Sequence, residues 1–229
     1  MDHINSEYEV MRDNLLPLSF INTNFKKEVV SLIAGRPRMG KSVFAWCLAA
    51  TLIRQKQRVL FFSLEMSKDQ VLKGLQRFGC NSNDMKSLFA IDDTPASTIS
   101  YMCQLLGRGK YNYIIVDDIQ LMSPPCLAKT RQEEMLHIIN GFKEMAKENN
   151  ISVILFAQIR KLMEDSHKND IKPRLEDMGE SYSDYNFEDV HISFLHRDAF
   201  YKRSTEDLLE FITYTNNERK IEYIQSLSS

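Results

Sequence analysis

Apolar, β-branched runs alternate along this chain with stretches whose apolar residues fall at helical spacing, a pattern that predicts strand, helix, strand, helix through most of its length. Val29 to Ala34 reads as a buried strand and Val43 to Ala50 as the helix after it. Val59 to Leu64 is a second strand, and Ser67-Lys-Asp-Gln70 has the form of a capping box that starts the next helix. Ala90 and Ile91 end a short strand before a helix carrying Ile99, Met102, Cys103, Leu105 and Leu106. Tyr113 to Val116 forms another strand, and Thr130-Arg-Gln-Glu133 caps a helix whose stripe of Met135, Ile138, Ile139, Phe142, Met145 and Ala146 is core. Ser152 to Phe156, His191 to Leu195, Leu209 to Tyr214 and Ile221 to Ile224 complete the strands, the last two turning near Asn216 and Asn217 as a hairpin.

This order predicts an α/β fold, a twisted and mostly parallel sheet with helices on both faces and a C-terminal hairpin, whose ligands sit at the carboxyl ends of the strands. Residues 29 to 229 form one domain on this reading, and residues 1 to 28 a helical lead-in in which Ile4, Tyr8, Met11 and Leu15 make one apolar stripe that needs a partner. With 43% hydrophobic and 26% charged residues the chain has the composition of a globular domain and not of a disordered one. Lys and Arg number 29 against 31 Asp and Glu, so no overall basic charge marks a coat for nucleic acid, although local patches stay open to it. Cys47, Cys80, Cys103 and Cys126 are widely spaced with no C-x-x-C pair, which predicts reduced, packed thiols. The start, Met1-Asp-His-Ile-Asn-Ser6, lacks a signal region, and no apolar run is long enough for a membrane span, so the expected location is the cytoplasm.

Chemistry concentrates between the first strand and the first helix. Residues 35 to 42, Gly-Arg-Pro-Arg-Met-Gly-Lys-Ser, complete the pattern G-x-x-x-x-G-K-[ST] of a phosphate-binding loop. Gly35, Arg36, Pro37, Arg38, Met39, Gly40, Lys41 and Ser42, with Val43 in the first helical turn, are the expected cradle for a nucleoside triphosphate. Glycine allows turns in which successive N–H groups point at phosphate oxygens, and the helix N-terminus adds partial positive charge. Lys41 brings a mobile charge to the β and γ phosphates, and the Ser42 hydroxyl is expected on Mg2+.

Other polar residues follow strands at the same rim. Asp117 comes directly after residues 113 to 116, where a magnesium-positioning carboxylate belongs; Asp118 is its rival, and side-chain alternation predicts that one of the two faces the metal. Glu65 follows the second strand, placed either to activate water or as a solvated acid. Gln158 follows the strand ending at Phe156 and is a candidate to sense the γ-phosphate. The next segment carries Arg160, Lys161, Lys168, Lys172 and Arg174, candidates for a nucleic-acid backbone or simply a solvated loop.

Taken together, residues 35 to 42, Phe62-Ser-Leu-Glu-Met-Ser67, Val116-Asp-Asp-Ile-Gln-Leu-Met122 and Lys172-Pro-Arg-Leu-Glu-Asp-Met-Gly-Glu-Ser181 resemble the motor domain of DnaB-type replicative helicases, and Ala157-Gln158 and His196-Arg-Asp-Ala-Phe-Tyr201 extend the likeness. The resemblance covers roughly residues 29 to 202 and implies a RecA-like core, ATP hydrolysis with Mg2+, and homo-oligomers up to hexamers on single-stranded DNA. It assigns the catalytic base to Glu65, the metal to Asp117 and DNA contact to residues 160 to 174. The likeness does not reach the family's N-terminal primase-binding domain, glycine stands at 179 where the family has arginine, and the family's C-terminal Lys-x-Arg pair is matched by Tyr214-Thr-Asn-Asn-Glu-Arg-Lys220 with neither cation in register. The expected function is that of an ATP-dependent helicase motor in replication or mobile-element maintenance. The alternative that these departures keep open is a nucleotide-dependent assembly or loader module with little hydrolysis.

Overall fold

The computed structural model describes residues 15–107, 110–124, 129–159, 172–178, 190–197, 208–215 and 218–225. Within them the chain runs α1 (Leu18–Asn24), β1 (Val30–Gly35), α2 (Lys41–Arg54), β2 (Val59–Ser63), α3 (Lys68–Arg77), α4 (Ser82–Leu88), β3 (Phe89–Asp92) and α5 (Ile99–Leu106). It continues with β4 (Tyr113–Asp117), a 3-10 turn (Ile119–Leu121), α6 (Arg131–Asn149), β5 (Ser152–Gln158), a second 3-10 turn (Leu175–Met178), β6 (Val190–Arg197), β7 (Leu208–Thr215) and β8 (Glu218–Gln225). The strands form one sheet in the order β3-β2-β4-β5-β1-β6-β7-β8. Pairing is parallel from β3 through β6 and antiparallel for β6–β7 and β7–β8, as the alternation of elements and the terminal hairpin predict.

The strands of the sheet interior are buried along their length, as a parallel sheet covered on both faces demands. One face packs α1 to α4, through Phe20, Phe44, Leu48, Val71 and Met85 among others. The opposite face packs α5 and α6, through Met102, Ile138, Phe142 and Met145, so the stripe read on α6 is core. The α6 start is capped as expected, the Thr130 side chain accepting from Glu133 N, and α3 carries the Ser67–Gln70 capping box. Helix α4 was not legible, because residues 82 to 88 carry Met85 as their one buried residue and their start depends on the Asn81 side chain accepting from Asp84 N.

Part of the lead-in packs on the same body. Leu16, Phe20, Ile21 and Phe25 are buried, with the Phe20 ring 5.0 Å from that of Phe211 on β7, and Asn24 Nδ2 donates to Glu222 Oε2 on β8 at 3.1 Å. Ile4, Tyr8 and Met11 lie outside the described residues, as do Cys126 and the turn at Asn216 and Asn217. Cys47 and Cys80 are buried thiols, whereas Cys103 is exposed on α5, at the flank of the face that buries Met102 and Leu106, which corrects its expected packing. Among the described residues no helix is long and apolar enough to cross a membrane.

Helix α2 is buried on every side from Phe44 to Ile53, so it approaches α3 closely. Gly74 in the middle of α3 makes this possible: a Cβ there would lie 2.5 Å from two ring atoms of Trp46. The packing therefore outweighs the roughly 1 kcal/mol that glycine costs inside a helix. Gly74→Ala is expected to destabilise the fold by about 1–3 kcal/mol, the usual cost of overpacking. Urea unfolding followed by the emission of Trp46, the chain's single tryptophan, measures this directly, and an unshifted midpoint would mean that the ring moves aside freely.

Candidate active site at the carboxyl rim of the sheet

Because β2, β4, β5, β1 and β6 run in parallel, their carboxyl ends share one rim. Gly35 at the end of β1 pairs with Gln158 of β5 on one side and Leu195 of β6 on the other, and Ser63 of β2 pairs with Asp117 of β4. The loop from Arg36 to Gly40 leaves this rim and enters α2. Arg36 is buried, with Nη2 4.0 Å from Asp177 Oδ2, and Met39 is buried beneath the turn, while Pro37 and Arg38 face outward. Arg38 and Gly40 both adopt left-handed backbone, with φ of 67° and 87°. Gly40 answers two demands at once, because a side chain there would be strained by φ and its Cβ would lie 3.3 Å from Nη2 of Arg197. No side chain caps the N-terminus of α2 and no acid lies in its first turn, which leaves its N–H groups for an anion.

Lys41, the first residue of α2, donates from Nζ to Gly35 O at 3.2 Å. Burial lowers its pKa, and the charges of Asp118, Asp117 and Glu65, in that order, oppose the shift. Three acids from two strand ends therefore converge on one lysine. Burial pushes the Asp117 carboxyl up to about 6 against the pull of a hydrogen bond from Ser42, and its Oδ1 is buried without a hydrogen-bond partner. Asp118 is also raised by burial, and it accepts at Oδ1 from Gln120 N at 3.0 Å. Of the two acids it is thus Asp117 that meets Ser42, while Asp118 holds the turn that follows.

Glu65 lies exposed in the bend between β2 and α3. Leu64 N donates to Asp117 O at 2.7 Å and Ser63 Oγ to Met66 O at 2.6 Å, which fixes the backbone on both sides of Glu65 beside the Asp117 turn. Gln158 ends β5 with its side chain exposed, and its backbone is gripped by the Gln120 amide. The DNA-contact candidates fare differently. Arg160, Lys161 and Lys168 lie outside the described residues, and Arg174 is exposed beside the second 3-10 turn. Lys172 is paired within the chain, its Nζ 2.7 Å from Glu210 Oε1 on β7 with both side chains largely buried.

Two residues at this rim escaped assignment on sequence grounds. Arg197 ends β6 and lays its guanidinium against Gly40; the available signal was a cation directly after a buried strand. Gln120 was visible only as one letter of the segment Val116 to Met122, with nothing to say that its amide would reach β5.

A family model described as the DnaB-like helicase C-terminal domain matches residues 15–87 and 76–225. A probable replicative DNA helicase of Trieres chinensis is 29% identical over 220 residues, which cover 83% of this chain and 48% of that protein. The replicative DNA helicase DnaB of Rickettsia bellii is 32% identical over 215 residues, covering 77% of this chain and 43% of that one. The solved ATPase domain of G40P superposes with a TM-score of 0.73 at 21% identity, over 87% of this chain and 81% of that one, which matches the RecA-like fold expected from the resemblance. The chain spans about half the length of the curated relatives it matches.

The burial of Asp117 has a measurable consequence. Its folded pKa of about 6 lies above the unfolded value of 3.8, so the folded chain holds the proton more tightly; this contribution favours the fold in acid and is lost as pH rises through about 6. Asp117→Asn, which cannot ionise, is expected to raise the urea midpoint of the nucleotide-free, metal-free protein at pH 7.5 and to lose that advantage at pH 4. Equal shifts at both pH values would rule out a buried ionised Asp117 as the cause.

Proposed function

The chain belongs to the DnaB-like helicase C-terminal domain family, and from that premise we propose that it is an ATP-hydrolysing motor that acts on single-stranded DNA as part of a homo-oligomer. The observation that carries this reading is the convergence of Ser42, Lys41, Asp117 and the Glu65 charge on the mouth of the phosphate loop. The ATPase unit spans residues 29 to 229, with residues 1 to 28 as the lead-in. Its location is the cytoplasm, where a replicative motor meets DNA.

Each residue has a task in this reading. The loop from Gly35 to Val43, through the N–H groups of its residues other than Pro37, and the Lys41 ammonium hold the β and γ phosphates, and Arg197 adds a second cation beside Gly40. The Ser42 hydroxyl and the partnerless Oδ1 of Asp117 fit magnesium, which takes one or two protein oxygens and fills its remaining positions with phosphate and water. When bound, the ion neutralises charge on the β and γ phosphate oxygens. Glu65 takes the proton from the attacking water as its oxygen bonds to the γ phosphorus and the bond to the bridging oxygen breaks, leaving ADP and phosphate. Gln158 meets the γ-phosphate side of the site and leads directly into residues 160 to 174, where Arg160, Lys161, Lys168 and Arg174 are the cations for a DNA backbone.

Arg219 and Lys220 do not belong to this chain's own site. The registers align Arg219 with Tyr214, Ile192 and Leu32, three rows from Gly35 and three strands from β1. At about 3.3 Å per row and about 4.8 Å per strand, that is roughly 10 Å along the sheet and about 14 Å across it. Any service they give to a phosphoryl group is to a neighbouring copy, which favours assembly. The alternative module with little hydrolysis draws on the same feature, since Lys220 is already paired with Glu222 at 3.0 Å.

Steady-state ATP turnover, measured with and without single-stranded DNA alongside the mass in each nucleotide state, separates the two. DNA-stimulated turnover supports the motor, and nucleotide-dependent assembly with negligible turnover supports the module. In the motor, Glu65→Gln is expected to keep ATP binding and to lower turnover by about 10²–10⁴-fold, the range of a positioned general base. Lys41→Ala is expected to lose about 1.5–3 kcal/mol of ATP affinity, the contribution of one charged hydrogen bond, as titration calorimetry would measure. Unaltered turnover in the first variant would reduce Glu65 to a solvated acid.

A further inference from the structure

Strand β4 stops pairing with β5 at Val116 and Leu155, three residues before β5 itself ends at Gln158. The Gln158 peptide, which has no β4 residue opposite it, is instead gripped by a side chain. Gln120 Nε2 donates to Gln158 O at 2.8 Å, and Gln158 N donates to Gln120 Oε1 at 3.0 Å. A primary amide carries one donor and one acceptor edge in the arrangement of a peptide, so Gln120 extends the sheet by one rung where the strand is missing.

That rung belongs to a chain of hydrogen bonds around the phosphate loop, closed between Asp118 and Lys41 by charge and not by a contact. The backbone N of Gln120 donates to Asp118, whose charge is the strongest of those acting on Lys41. Lys41 Nζ donates to Gly35 O, and the same carbonyl accepts from Ile159 N at 3.2 Å, one residue past Gln158. Arg131 at the start of α6 donates to Gln120 O and pairs with Glu134, which fixes the turn from the outside. When Lys41 turns toward phosphate, Gly35 O loses one of its two donors and Asp118 loses part of its counter-charge. Both changes act on opposite sides of the same Gln158–Ile159 peptide.

We propose that Gln120 is a positioning residue for the reaction: its amide ties the Asp117–Asp118 turn to the end of β5, so that nucleotide at Lys41 sets the position of Gln158 and of the chain that leaves it at Ile159. The inference builds on the ATPase reading, but it can fail separately. It names no contact between Gln120 and nucleotide; Gln120 acts through Asp118 and Gln158.

The test is amide hydrogen exchange at Gln158 and Ile159 in wild type and Gln120→Met, each with and without a non-hydrolysable ATP analogue and Mg2+, combined with steady-state kinetics. In wild type the analogue is expected to change exchange at both amides. In Gln120→Met, which keeps the side-chain length but neither hydrogen bond, the analogue is expected to bind with unchanged affinity while that response is lost. Turnover in this variant is expected to fall by about tenfold at unchanged KM, the pattern of a misplaced group and not of a weakened fold. Gln120→Glu retains the acceptor for Gln158 N and is expected to keep part of the response, which guards against a folding defect in the methionine variant. A response at Gln158 and Ile159 in Gln120→Met equal to that of wild type overturns the proposal. If wild type binds the analogue and responds but turns over no ATP, the motor reading fails, while the placing of Gln158 and Ile159 by nucleotide through Gln120 stands.

Discussion

Parallel pairing of β1 with both β5 and β6 is the constraint on which the rest of this molecule depends. Parallel strands bring every carboxyl end to one rim, so residues far apart in the chain meet without any need for long loops. Gly35, Ser63, Asp117, Gln158 and Arg197 end five different strands and still face one another across a single phosphate loop. The antiparallel pair β7 and β8 extends the same sheet outward and carries Arg219 and Lys220 toward the opposite rim. One architectural rule thus assembles the candidate catalytic groups in one place and sends the C-terminal cations elsewhere.

Electrostatics at that rim is unbalanced in a way that suits a metal-bound triphosphate. Asp117 and Asp118 are almost fully buried, and Lys41 is the cation whose charge acts on both. Burial works against charge on all three, raising both acids and lowering the lysine. A divalent cation would give the ionised Asp117 a partner for its orphaned oxygen, and phosphate would give Lys41 one that does not lie in the protein. Buried charge that lacks full compensation costs stability, and such sites are where binding energy is largest.

A second layer of contacts ties this rim to the rest of the domain. On one side the amide of Gln120 holds the end of β5; on the other, the segment that returns toward β6 is held at Lys172 by Glu210, at the Pro173 carbonyl by the Tyr214 hydroxyl, and at Asp177 by Arg36 of the phosphate loop itself. The stretch carrying the candidate DNA-binding cations therefore has both of its stems tied to the phosphate-loop rim or to the terminal hairpin. Lys172 takes part in this anchoring through its pair with Glu210.

Periodicity and local chemistry determined most of the fold and the heart of the site. Buried strands are continuous apolar runs, helices repeat their apolar face every three to four residues, and the phosphate loop is a contiguous octet whose glycines and lysine act through local backbone geometry. Those features were legible in the sequence alone, as were the places of Asp117 and Glu65, because Asp117 ends β4 and Glu65 follows β2 by two residues, at strand ends that are fixed points of the architecture. Helix α4 was not, since its short polar sequence leaves one buried residue and no periodic stripe. Nor were the Gln120 grip on Gln158, the Arg197 guanidinium over Gly40 or the Lys172–Glu210 pair, which span 38 residues, 157 residues and 38 residues of chain respectively. Only the tertiary structure decided these, because a side chain's partner across the sheet depends on register and strand order, and neither leaves a trace in the spacing of residues along one chain.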